Sequence, residues 1–163
     1  MSKNIMVASL IFIFAITAFS QVDISVFNDI SGTWQAIYPT GFEEYMNKET
    51  LVCKWIHNHN FFQMDIAGEV EGHFEFGYSS TGIFTLDDKD NIKGWVFNED
   101  GYRSILTYKG KVEGSKVIME GTNPDYSYKQ TLELKEGKLI NKRELKISGK
   151  DPSVFEVVYT RKQ

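Results

Sequence analysis

Cysteine occurs once in the 163 residues, at Cys53, so the chain cannot close an internal disulfide and must hold itself together by its core. Charge of one sign is nowhere concentrated. The 18 Lys and Arg are interspersed with 22 Asp and Glu, for a net charge of -4. Without a basic patch the counterion release that drives nucleic-acid binding is missing, which excludes a nucleic-acid partner. The longest apolar run, residues 5–19, falls short of the ~20 residues of a spanning helix, so no stable membrane insertion of the rest of the chain is expected. No nucleophile elbow, phosphate-binding loop, dinucleotide glycine pattern or cysteine pair is present. Fixed-period repeats, low-complexity tracts and linkers are also missing, which leaves one domain.

What the N-terminus does have reads as an export signal. Lys3 precedes the uncharged run 5–19, and Ala18-Phe19-Ser20 offers small residues around a cleavage point. The expectation is a signal peptide over residues 1–20, cut before Gln21, and a product delivered to the periplasm or the extracellular space. An uncleaved N-terminal anchor is the alternative, and no Cys follows the run to take a lipid. The domain proper is then residues 21–163.

From Trp34 onward hydrophobicity alternates with period two and hardly stops. Trp34, Ala36 and Tyr38 share one face of a strand; Phe62, Met64 and Ile66 share another. Further strands are predicted over residues 50–57, 74–78, 81–86, 92–97, 104–109, 116–121, 126–135, 139–148 and 154–161. Pro39-Thr40-Gly41 ends the first strand, and residues 42–49 form a longer connection able to sit over a barrel mouth. Gly68 to Gly72 is a turn, and Gly77 and Gly82 mark bulges or bends. Residues 21–30 are either a loose arm or one helical turn closing a barrel end. Short Gly, Asn and Asp turns join the rest. The fold class is all-β, an antiparallel up-and-down barrel of about 8–10 strands, whose closure removes exposed edges.

Gly32-Thr33-Trp34 resembles the Gly-x-Trp signature of lipocalins and fatty-acid-binding proteins. The segments Phe61-Phe62-Gln63, Gly82-Ile83-Phe84-Thr85-Leu86-Asp87, the Trp95 strand and the closing Val158-Tyr159-Thr160-Arg161-Lys162 are similar in order to a bacterial lipocalin-like (calycin-like) family of unknown function. That likeness implies a calycin barrel in which Arg161, on the last strand, packs over the Trp34 ring. It implies no activity. Tyr38-Pro39-Thr40 after the signature gives a weaker likeness to nitrobindin-type haem barrels, but those ligate haem through a His near the C-terminus, and the last His here is His73. No cofactor is expected.

Candidate chemistry is sparse. His57, His59 and His73 have no carboxylate or thiolate at ligand spacing, so they are read as turn residues rather than as a metal site. Asp65 and Glu75 are the carboxylates to inspect for general acid/base work, against an ordinary role on the barrel exterior. Cys53 is expected to be buried as a small apolar residue. The aromatic residues carry the functional reading: Trp55, Phe62, Phe74, Phe76, Trp95, Tyr108 and Tyr128 are the candidate ligand contacts, with Tyr78, Phe84, Phe97, Tyr102 and Tyr126 as further lining. Gly32, Trp34 and Arg161 form the structural signature. The expectation is an exported barrel that binds or carries a small, mostly apolar ligand. A filled barrel serving structure or protein interaction stays open beside it, as does a cavity isomerase or hydrolase.

Overall fold

The structure, a computed structural model, describes residues 25–40, 45–71, 73–87, 91–99, 105–122 and 126–163, the side chains of 73–76 excepted. Residues 1–20, expected to be a signal peptide, Tyr102, and the side chains of His73, Phe74, Glu75 and Phe76 lie outside the described set. A short helix, α1 (Ser25–Ile30), leads into ten strands: β1 (Gly32–Pro39), β2 (Met46–Ile56), β3 (Phe61–Val70), β4 (His73–Leu86), β5 (Asn91–Asn98), β6 (Leu106–Glu113), β7 (Lys116–Thr122), β8 (Tyr126–Lys135), β9 (Lys138–Ile147) and β10 (Ser153–Arg161). Each strand pairs antiparallel with its sequence neighbour, and β1 meets β10, so the sheet closes into an up-and-down barrel. No helix among the described residues is long and apolar enough to cross a membrane.

Three of the differences from the sequence expectation bear on the barrel interior. β2 begins at Met46 rather than at Thr50, because residues 46–49 pair with both Pro39–Ala36 of β1 and, from Asn47, with the end of β3. β3 continues through Gly68 to Val70 on the same cross-strand pairing, with a register shift only between Glu69 and Val70. Gly82 is not a bulge: it stays in register with Met64 on one side and Val96 on the other.

Alternation sends one face of every strand inward. The base of the interior is solid, with Trp34, Leu51, Phe62, Ile92, Val117, Leu132 and Leu139 almost fully buried. Helix α1 closes this end by burying Val26, Phe27 and Ile30. Two residues fasten it. Trp34 Nε1 donates to the Ile30 carbonyl at 2.8 Å. The Arg161 guanidinium lies 4.2 Å from the Trp34 ring centroid and donates to the carbonyls of Asp29 at 2.6 Å and Ser31 at 2.7 Å. Arg161 thereby neutralises carbonyls that the helix end leaves without partners, and adds ~0.5–2 kcal/mol of cation–π attraction. Gly32 is the third member. Its φ of +132° disfavours other residues, and a Cβ there would stand 2.7 Å from Arg161 Nη1.

Glycines elsewhere make room for inward rings. A Cβ at Gly68 would strike the Tyr78 ring, its cross-strand partner. At Gly94 it would come within 2.4 Å of Phe84 Cδ1 and 2.6 Å of the Ile83 carbonyl oxygen, which is backbone and cannot yield. Gly94→Ala is therefore expected to cost about 1–3 kcal/mol through overpacking. A melting temperature equal to that of the native chain would contradict it.

The closing seam is the least regular. Only Trp34↔Arg161 and Gln35↔Thr160 pair between β1 and β10, extended by Lys162 N–H to the Thr33 carbonyl at 2.8 Å. By contrast, β10 pairs with β9 from Ser153 to Thr160. Past Gln35, where the backbone ladder between the two end strands stops, a set of buried polar side chains takes over.

A polar-walled cavity inside the barrel

Those side chains centre on Glu49, which is 0% exposed. It sits in β2 on the inward parity of Leu51 and Cys53. Arg143, on β9, reaches it across the interior with both terminal nitrogens: Nη1 donates to Oε2 at 3.0 Å and Nη2 donates to Oε1. The hydroxyls of Tyr38 (β1, 2.9 Å), Tyr78 (β4) and Tyr159 (β10) also donate to the carboxylate. With its amide oriented to suit its neighbours, Asn141 accepts from Arg143 Nε and from Gln130 Nε2, each at 3.0 Å. Five strands thus share one carboxylate, including both strands of the short seam. Burial works against the Arg143 charge, but the hydrogen bonds to Glu49 outweigh it and hold the guanidinium above its ordinary range.

Beside this network lies a cavity of about 430 Å³, partly open to solvent. Arg143, Tyr78 and Gln130, with Ser80 and Asn98, supply polar groups to its lining. Apolar side chains such as Met64, Ile66, Phe84 and Leu106 supply most of the rest, and Tyr108 and Tyr128 face it from β6 and β8. Phe84 is its partition from the base. Beneath that ring is a second hollow of about 10 Å³ against Phe27, Trp55 and Phe62, room for roughly one water molecule.

No family model and no curated protein matches the chain. The site therefore has to be read from its own geometry.

Of the seven aromatic residues expected to contact a ligand, the structure puts two, Tyr108 and Tyr128, on the cavity, with ring centroids 6.5 Å apart. Phe62 and Trp55 sit lower. They form an edge-to-face cluster with Phe27, and Trp55 Nε1 donates to Asn28 Oδ1 at 2.8 Å, so both help to seat α1 rather than line the cavity. Trp95 is a correction. It points outward and is 44% exposed, because the inward parity of β5 belongs to Ile92, Gly94 and Val96. Phe97 is outside for the same reason. Asp65 is also an exterior residue, 3.7 Å from Lys54 Nζ and accepting from Gln63 and Thr81. His57 and His59 are exposed in the turn after β2, with φ of 50° and 65°. Among the described residues no three His, Cys, Asp or Glu side chains come together as a metal site would need.

Sequence reasoning missed Glu49 and Arg143. Glu49 falls in the connection expected over residues 42–49, although it shares the parity of Leu51 and Cys53. Arg143 follows Leu139 and Asn141 on the inward parity of β9, and that alternation is the signal in the sequence that marks it.

The buried phenols and the thiol respond to pH in one direction. Burial raises Tyr108 well above the usual phenol range, pushes Tyr128 up to about 12, and pushes the Cys53 thiol up to about 12. A group whose folded pKa is raised contributes stability that is intact below its unfolded pKa, near ~10 for Tyr and ~8.5 for Cys, and lost above it. Unfolding free energy is therefore expected to hold up to about pH 8 and then fall. Between about pH 10.5 and 11.5 the three groups together should give a slope of roughly 3–4 kcal/mol per pH unit, at ~1.4 for each. Urea titrations across that range check it; a flat profile would show that these groups ionise freely in the folded barrel.

Proposed function

We propose that this chain is an exported, lipocalin-like barrel that binds or carries one small, mostly apolar molecule in the cavity. The observation that carries the reading is the cavity itself. About 430 Å³ of largely apolar space, with a few polar side chains set among the apolar ones, has the size and make-up of a small-molecule site. The likeness of Gly32-Thr33-Trp34 and Arg161 to the lipocalin signature supports it, as does the signal-like N-terminus.

The ionisable pair inside the barrel, Glu49 and Arg143, is engaged with itself, which favours binding over acid/base chemistry. Native mass spectrometry of protein purified from its own organism tests the whole reading. The expected spectrum shows a chain beginning at Gln21 and carrying a recurrent small-molecule adduct that organic extraction releases. Repeated spectra with no adduct would move the assignment to a protein-interaction barrel, which one observation favours: Trp95 and Phe97 are each 44% exposed on the outer face of β5.

A further inference from the structure

We infer that the cavity selects uncharged molecules bearing a hydrogen-bonding group and rejects carboxylates of the same shape. The inference rests on the reading of the cavity as a binding site and concerns which class of molecule that site takes.

Arg143 is the only charged residue among the described lining of the cavity, and at first sight it invites an anion. Its charge is already matched. Glu49 takes both terminal nitrogens, and Asn141 takes Nε. The hydroxyls of Tyr38, Tyr78 and Tyr159, which could have solvated a second anion, all donate to Glu49 instead. A carboxylate entering the cavity would therefore add a negative charge beside a neutralised pair, lose its water, and find no free cation. A cation would meet the Arg143 guanidinium on the cavity wall with the same result.

What the wall does leave free is neutral. The hydroxyls of Tyr108 and Tyr128 have no hydrogen-bond partner among the described groups, yet no fully enclosed polar atom of the described residues goes unpaired. The two hydroxyls therefore reach into the cavity rather than into packed protein. They come from β6 and β8, either side of Gly121 in β7, whose missing side chain admits the Tyr108 ring. A phenol both donates and accepts, so an amide, ketone or alcohol can be satisfied there. With their ionisation pushed well above neutrality, both remain donors at physiological pH.

Isothermal titration at pH 7 with four probes of one shape decides the matter: naphthalene, 2-naphthol, 2-naphthamide and 2-naphthoate. The expected order places 2-naphthamide and 2-naphthol tighter than naphthalene, with 2-naphthoate weaker than 2-naphthamide by about tenfold or more. The Tyr108→Phe/Tyr128→Phe variant should reduce 2-naphthamide to the affinity of naphthalene and leave naphthalene unchanged. Glu49→Gln, which unmasks the Arg143 charge, should raise 2-naphthoate affinity by about tenfold and reverse the order.

If 2-naphthoate binds the native chain as tightly as 2-naphthamide, the selectivity is overturned while the binding reading stands. An unchanged order in Glu49→Gln, or unchanged 2-naphthamide affinity in the tyrosine variant, overturns it as well. If Glu49→Gln fails to fold, the native comparison and the tyrosine variant still decide. Failure of all four probes, naphthalene included, overturns the binding reading itself and this inference with it.

Discussion

Arg143→Ala should lower the unfolding free energy by about 3–5 kcal/mol, the largest loss expected from any single substitution outside the base of the barrel. The buried stem forfeits some packing, since Arg143 is only 5% exposed, but that is the smaller part of the loss. The cost comes from what stays behind: a Glu49 carboxylate that is 0% exposed and has lost the only cation in contact with it among the described residues. The hydroxyls of Tyr38, Tyr78 and Tyr159 remain as donors but carry no charge. Because this carboxylate also links β1, β4 and β10 where the β1–β10 ladder has ended, the damage should be local as well as global. Hydrogen exchange of residues 36–38 and 154–159 is expected to accelerate before that of β6 to β8.

The companion experiment separates a strained charge from a missing contact. Replacing both partners, Glu49→Leu with Arg143→Met, should cost well under the sum of the two single changes, since no uncompensated charge is left inside. Urea unfolding at pH 7 measures all three variants. A loss below about 1 kcal/mol for Arg143→Ala would mean that water reaches the carboxylate and that the network does not hold the seam.

The second large effect is at the other end of the barrel. Trp34→Ala should cost about 3–5 kcal/mol, as truncation of a fully buried aromatic does. Three things go at once: the packing volume of the largest buried side chain, the hydrogen bond to the Ile30 carbonyl, and the ring on which Arg161 rests. Helix α1 loses its fastening, and Cys53, buried at 1% exposure in the same core, should become reactive to thiol reagents. Trp34 does not line the large cavity, which Phe84 and the network separate from the base. Ligand affinity of the surviving folded fraction should therefore stay nearly unchanged. A large loss of affinity with intact stability would sink this division of labour.

The contrast between these two sites shows where the sequence is legible. Trp34, Gly32 and Arg161 were readable because a short signature at each end of the chain implies a meeting, and the meeting occurs with a 4.2 Å stacking distance. The strands were readable because a half-buried strand must alternate every second residue, whatever it pairs with. Alternation without a fixed origin was not enough for Trp95. Its strand carries apolar residues on both faces, and Gly94, the true inward residue, offers no hydrophobic signal at all.

Glu49 and Arg143 were not legible as a pair. They lie 94 positions apart, on β2 and β9, and each alone looks like one more charge in a mixed chain. The sequence by itself determined an antiparallel barrel of about 8–10 strands and the two alternating faces of most of them, because these follow from local hydrophobic patterning and turn chemistry, while the meeting of first strand and last came from the resemblance of its end signatures. Only the tertiary structure decided which charges the barrel would swallow, where its interior would stay open, and which hydroxyls would be left facing that space. Convergence across the barrel depends on register and curvature summed over all ten strands, and no local pattern encodes that sum.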